Sequence, residues 1–171
     1  MYKKVLILLF FIPFHLLFAQ TNMLKDFPEG HTPEEIGKRL AYRFLTEKHA
    51  LHVGKWIGYP ETFYWSGALR YADGAKDKEL IQRLQEKFDF LFTEEKVLQP
   101  IMNHVDLNMF GSLPLEFYLV TKDLKYRYLG LPYADSQWEL PRNAKPHEKE
   151  WAEKGYSWQT RLWIDDMYMI T

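Results

Sequence analysis

Two adjacent carboxylates, Asp165 and Asp166, stand inside the apolar and aromatic run WIDDMYMIT (residues 163–171). Burying an ionised carboxylate costs several kcal/mol unless it is paired or hydrogen-bonded. Apolar surroundings disfavour the charged form, so Asp165 could keep a proton and donate it near neutral pH. The alternative is structural, because Arg161 lies four residues earlier and could pair with Asp165 on one helix face. Asp166 is the weaker candidate for catalysis.

A second carboxylate with a possible chemical role is Asp106, two residues after His104 in NHVDLNMFGSLPLEFYL (residues 103–119). Asp is a good N-cap, and Asp106 precedes a predicted helix, so capping is one interpretation. The other is that Asp106 partners Asp165 in a two-carboxylate site. His104 and Asp106 offer too few ligands for a metal, and DDMYM lacks the third Asp of the prenyl-synthase metal motif. We therefore expect no metal and no cofactor.

The elements that must position these residues are predicted to be helices. The stretch TPEEIGKRLAYRFLTE opens with Thr32 as N-cap, Pro33 at the first helical position and Glu35 completing a capping box. Charged residues flank an inward apolar stripe in KDKELIQRLQEKFDFLF. The helix predicted for FGSLPLEFYLVTKD must hold Pro114 in its first turn or be kinked by it. The apolar positions expected to face inward are Ile36, Leu40 and Phe44; Phe63, Gly67 and Tyr71; and Leu80, Leu84, Phe88 and Leu91.

The organisation of the chain follows from these elements. No alternating strand pattern is found, which predicts an all-α fold, and the short connections predict antiparallel helical hairpins. Residues 142–157 are expected to be a polar connection. A last helix from about Ser157 is apolar all round and is therefore expected to be buried. Since nothing downstream would cover it, we expect the chain to be the N-terminal part of a longer protein.

Composition indicates the compartment and excludes some partners. Residues 1–19 have the order of a signal peptide, with Lys3 and Lys4 before an apolar stretch that ends at Ala19. A retained membrane anchor is the alternative, although the stretch is short for one. Of the 22 Lys and Arg residues, removal of Lys3 and Lys4 leaves 20 against 23 Asp and Glu, a net charge of −3. We expect an exported protein with no nucleic-acid partner and no membrane association after signal removal.

The aromatic content is 17% of the residues, and such side chains can either line a sugar-binding cleft or fill a large core. The segments GYPETFYWSGALRYAD, NHVDLNMFGSLPLEFYL and WIDDMYM, in that order behind a signal peptide, resemble the unsaturated glucuronyl and rhamnogalacturonyl hydrolases of glycoside hydrolase families 88 and 105. The resemblance covers residues 33–171, with residues 20–32 as an N-terminal extension. It implies a partial (α/α)6 barrel of helical hairpins, truncated to its first half.

The resemblance also implies a reaction and roles for residues. Members of these families hydrate the C4=C5 double bond of the unsaturated uronic acid that polysaccharide lyases leave at a non-reducing end. By motif position Asp165 matches the general acid/base and Asp106 the assisting acid. Trp163, Tyr59 and His104 are the expected substrate-binding residues, and the expected partner is an unsaturated uronyl oligosaccharide.

Two other functions remain open at the level of the sequence. A non-catalytic carbohydrate-binding protein on the same helical toroid would keep the aromatic residues without needing an acid at Asp165. A conventional (α/α)6 glycosidase or lyase would need a different pair of carboxylates, or a Tyr/His base.

Overall fold

The computed structural model describes residues 26–160 and 163–164. The chain divides into two units, which meet in sequence between Ile36 and Gly37. Within the described residues, no helix is both long enough and apolar enough to cross a membrane.

The described chain is mostly helical, as expected of an all-α protein. Its α-helices are α1 (Pro33–Thr46), α2 (Tyr59–Gly74), α3 (Lys78–Asp89), α4 (Val105–Asn108), α5 (Ser112–Thr121), α6 (Leu124–Ser136) and α7 (Pro146–Glu153). Short 3₁₀ helices occupy Phe90–Phe92, Lys96–Leu98 and Met109–Gly111. Two short strands, β1 (Leu51–His52) and β2 (Trp56–Ile57), pair antiparallel with Leu51 opposite Ile57.

Local sequence signals mark the starts of α1, α3 and α5, within the segments predicted to be helical. The Thr32 N–H donates to Glu35 Oε2 at 3.0 Å, and the Glu35 N–H donates to Thr32 Oγ1 at 3.2 Å, which confirms the capping box. Asp77 caps α3 by accepting the Leu80 N–H at 3.0 Å. Pro114 is the third residue of α5 and lies in its first turn, as the sequence required.

Helices α2, α3, α5 and α6 pack around an aromatic core. The Phe88 ring lies at its centre, with ring centroids 5.5 Å from Trp65, 5.0 Å from Phe117 and 5.6 Å from Tyr126. The predicted inward residues of α3, Leu80, Leu84 and Phe88, are fully buried, and so is Leu91 just beyond its end. Much of the aromatic content is therefore core material.

Helix α6 lies close to the start of α5 because Gly130, on α6, faces Gly111, the residue just before α5. A Cβ on Gly130 would lie 2.8 Å from the Gly111 carbonyl oxygen and 2.6 Å from Leu115 Cγ. A Cβ on Gly111 would collide with the Tyr133 side chain. Only glycine permits this close approach. As a result α4, which precedes Gly111, lies near the end of α6.

Two predicted helix faces were wrong. In α2 the buried apolar positions are Trp65, Ala68, Leu69 and Ala72, whereas Phe63 and Gly67 are exposed. In α1 Phe44 is buried as predicted, but Leu40 is 54% exposed, and the buried position is Ala41. Both helices carry apolar residues around much of their circumference, so periodicity alone did not select the face that packs.

Three local predictions were also wrong. The polar connection predicted for residues 142–157 contains α7, which opens with Pro146 and is capped where Glu148 Oε2 accepts the Lys145 N–H at 2.6 Å. The β1–β2 hairpin was not predicted; Val53 and Gly54 turn it with φ of 47° and 71°. The helix expected from Ser157 is a turn over the described residues 157–160, because the Thr160 N–H closes on the Ser157 carbonyl at 3.0 Å.

Candidate functional site

Asp106 lies in the first turn of the short helix α4, and His104 is the residue that caps it. His104 Nδ1 accepts the Asp106 backbone N–H at 3.3 Å. The interpretation of Asp106 as the N-cap is therefore wrong by two residues. The same Nδ1 lies 3.5 Å from Asp106 Oδ2, and both side chains reach solvent. The site therefore offers an imidazole and a carboxylate side by side, with Nδ1 engaged as the acceptor that caps the helix.

The loop before His104 is held by a buried tyrosine. The Tyr133 hydroxyl, on α6, donates to the Pro100 carbonyl at 2.7 Å. Burial disfavours the phenolate and raises the pKa of Tyr133 to about 12, so it remains a donor throughout the neutral range.

Helix α4 is anchored to the C-terminal end of α6. Asn108 is buried, and its Nδ2 donates to Ser136 Oγ at 2.8 Å. The Ser136 hydroxyl donates in turn to the Tyr133 carbonyl at 2.8 Å. These bonds fix the turn that carries Asp106 with respect to α6.

The segment that leads to Trp163 is anchored at the same place. Ser157 Oγ donates to the Gln137 carbonyl at 2.7 Å, and Trp158 Nε1 donates to the Ser136 carbonyl at 2.8 Å. The Asp106 segment and residues 157–158, distant in sequence, are thus tied to the consecutive residues Ser136 and Gln137.

The remaining predicted site residues have different outcomes. Trp163 is 62% exposed and Ile164 is exposed too, so the described residues do not cover these two positions of the expected final helix. Asp165, its neighbour Asp166 and its possible partner Arg161 lie outside the described residues.

Tyr59 is the first residue of α2 and is half-buried. Its ring contact is with Phe63, at 6.3 Å between centroids. No described contact places it beside Asp106, whereas His104 and Asp106 are brought together.

A buried ionisable cluster was missed by the sequence analysis. His49 Nδ1 lies 2.6 Å from Glu61 Oε1, and His49 Nε2 lies 3.1 Å from Glu95 Oε2. Burial alone would lower the pKa of His49, but hydrogen bonds and charge from Glu61 and then Glu95 outweigh it and raise the pKa above 6.5. The only sequence signal was Glu61 inside an otherwise apolar stretch, and nothing in the sequence identified its partners.

Among the described residues, no group of three or more His, Asp or Glu side chains is arranged to hold a metal ion. Comparison with known proteins found no matching family model, no similar curated protein and no similar solved structure. The interpretation of the site therefore depends on its geometry and on the resemblance of its motifs.

Proposed function

We propose that this protein is a hydrolase of the unsaturated glycuronyl type, exported after removal of residues 1–19. Its substrate is an oligosaccharide with an unsaturated uronic acid at the non-reducing end, of the pectic rhamnogalacturonan type. Residues 33–171 contribute the first helical hairpins of an (α/α)6 barrel.

One observation supports this function more than any other: the Asp106 segment and the residues that precede Trp163 are both anchored at one end of α6. Asn108, two residues after Asp106, bonds to Ser136, and Trp158, five residues before Trp163, bonds to the same residue. A two-carboxylate site needs this kind of convergence, because Asp106 and Asp165 are 59 positions apart in the chain. We assign to the Trp163 side chain, which is 62% exposed, the role of stacking on a sugar ring.

The chemistry assigns each group a step. Asp165 donates a proton to C4 of the unsaturated ring while a water adds its oxygen to C5 and returns a proton to Asp165. The C5 hemiketal then opens by breaking its bond to the ring oxygen, which makes C5 a ketone and leaves that oxygen on C1 as a hydroxyl. The resulting C1 hemiacetal collapses to an aldehyde and releases the aglycone as an alcohol. Asp106, with His104 at 3.5 Å, assists by holding a proton near the developing charge.

The test is an assay of the complete gene product on lyase-generated oligosaccharides, followed as loss of the ultraviolet absorbance of the C4=C5 bond. Asp165→Asn and Asp106→Asn keep side-chain size but remove the titratable proton. We expect Asp165→Asn to cut turnover by a factor on the order of 10² or more, with little change in substrate binding. Asp73→Asn, at an exposed position on α2, is the matched control and should retain the parental rate.

The outcomes separate the alternatives. If Asp165→Asn turned over at the parental rate, the catalytic role would pass to Asp166 or Asp106. If the parent consumed no unsaturated oligosaccharide but bound saturated ones, the protein would be a carbohydrate-binding protein. Hydrolysis of saturated chains would indicate a conventional glycosidase.

A further inference from the structure

Three separate segments meet at the His49 imidazole. His49 itself lies between α1 and β1, Glu61 lies in the first turn of α2, and Glu95 lies between the two 3₁₀ helices that follow α3. The sequence separations are 12 residues to Glu61 and 46 to Glu95. The imidazole is therefore a cross-link between parts of the chain that local structure does not connect.

The number of protons in this cross-link follows from its geometry. Glu61 is only 2% exposed and accepts on both oxygens, from His49 Nδ1 and from the Ala50 N–H at 3.1 Å. Glu95 Oε2 faces His49 Nε2. Two carboxylates facing the two ring nitrogens require both nitrogens to carry hydrogens, which is the imidazolium form. A neutral imidazole would turn a lone pair toward one of the carboxylates.

The hydrogen bonds of His49 to Glu61 and to Glu95 differ in how easily they break. The Glu61 carboxylate has almost no access to water, so its charge depends on its hydrogen bonds. The Glu95 side chain is 41% exposed and can be solvated when it leaves the ring. Loss of one proton should therefore keep the Nδ1–Glu61 bond and break the Nε2–Glu95 bond.

The other charged groups around His49 are a lysine and a glutamate. Lys87 Nζ, on α3, donates to the Phe44 carbonyl at 3.0 Å and to the Glu47 carbonyl at 2.6 Å. Burial lowers the pKa of Lys87, and the charges of Glu61, Glu95 and Glu47 partly offset that effect. The charges that raise the pKa of His49 are those of Glu61 and Glu95, and the same two carboxylates favour the charged form of Lys87.

We propose that His49 is a proton-operated latch: the imidazolium holds the segment 93–98 to α2, and loss of the Nε2 proton releases Glu95 and that segment. The sign of the pH effect is defined by the raised pKa of His49. The stabilisation is complete below the ordinary histidine value of 6.5 and is lost as pH rises through the higher folded-state value. The latch therefore closes in mildly acidic surroundings and opens in alkaline ones.

The test is nitrogen NMR of the histidine rings of the full chain, titrated from about pH 6 to about pH 9. We expect both His49 nitrogens to carry hydrogens at the acidic end, and Nε2 to lose its hydrogen at higher pH. The backbone amide signals of residues 93–98 should shift with the same midpoint. In Glu95→Gln the His49 midpoint should fall and the shifts of residues 93–98 should disappear.

Thermal melting provides the second measurement. The difference in Tm between the parent and His49→Gln should be largest near pH 6 and should shrink toward pH 9. His147→Gln, a matched change at an exposed position on α7, should follow the parent at every pH. If His49→Gln fails to fold, the NMR titration of the parent and of Glu95→Gln still decides the matter. A neutral His49 ring at the acidic end, or amides of 93–98 that do not follow His49, would overturn the latch.

Discussion

At the scale of single residues, Tyr133 links the core to the candidate site and makes stability depend on alkaline pH. Burial raises its pKa from 10.0 to about 12, so the folded state holds the phenol proton more tightly than the unfolded state. The stabilisation is complete below pH 10 and is lost as pH rises toward 12. We expect the free energy of unfolding to fall over that window, as measured by urea titration at successive pH values.

Tyr133→Phe removes the phenol and leaves the Pro100 carbonyl without its donor. At neutral pH the variant should lose about 1–3 kcal/mol of unfolding free energy, the cost of an unsatisfied buried polar group. Its alkaline decline should be shallower than that of the parent. Tyr128→Phe, at a position that is 67% exposed on the same helix, is the control and should leave both quantities near the parental values. If the free energy of unfolding of Tyr133→Phe fell as steeply at alkaline pH as that of the parent, this account would be wrong.

At the scale of elements, the contact between α5 and α6 depends on the absence of a side chain at Gly130. An alanine Cβ there would lie 2.8 Å from a backbone oxygen, so one helix must move. Gly130→Ala should therefore lower the free energy of unfolding, by about 1–3 kcal/mol for an overpacked site. Gly67→Ala on α2 is the control, because nothing lies within 4 Å of its added Cβ.

Gly67→Ala should raise stability by about 0.5–1 kcal/mol, through helix propensity alone. Opposite signs for the two glycines, measured by chemical denaturation, are the expected result. If both substitutions stabilised the protein, the close approach of α5 and α6 would not be a constraint on the fold.

At the scale of the whole molecule, the aromatic cluster centred on Phe88 joins helices from both halves of the described chain. Phe88 contacts Trp65 from α2, Phe117 from α5 and Tyr126 from α6. Phe88→Ala should cost about 3–5 kcal/mol, a large part of the roughly 5–15 kcal/mol that stabilises a domain. Near-ultraviolet circular dichroism should weaken more than the helical far-ultraviolet signal, because packing is lost before helices are. Phe90→Ala, at a site that is 50% exposed, should change stability little.

Sequence alone determined the features whose causes are local. Thr32 and Glu35 begin α1 because a side chain three residues away can satisfy the backbone groups of a helix start. Leu80, Leu84 and Phe88 face inward on α3 because charged residues fill the rest of that helix. The failure at residues 142–157 was also local, since Pro146 and Glu148 carried a helix start signal that the polar composition obscured.

Only the tertiary structure decided which faces pack and which distant residues meet. Trp65, and not Phe63, is buried on α2 because α3 and α5 lie against that side of the helix. The bonds of Asn108 and Trp158 to Ser136 bring the Asp106 segment and residues 157–158 to one end of α6, although no periodicity connects them. His49, Glu61 and Glu95 form one ionisable unit only after the chain has brought them together. Periodicity records the environment within a few residues, whereas contacts across 46 positions depend on how completed helices fit against one another.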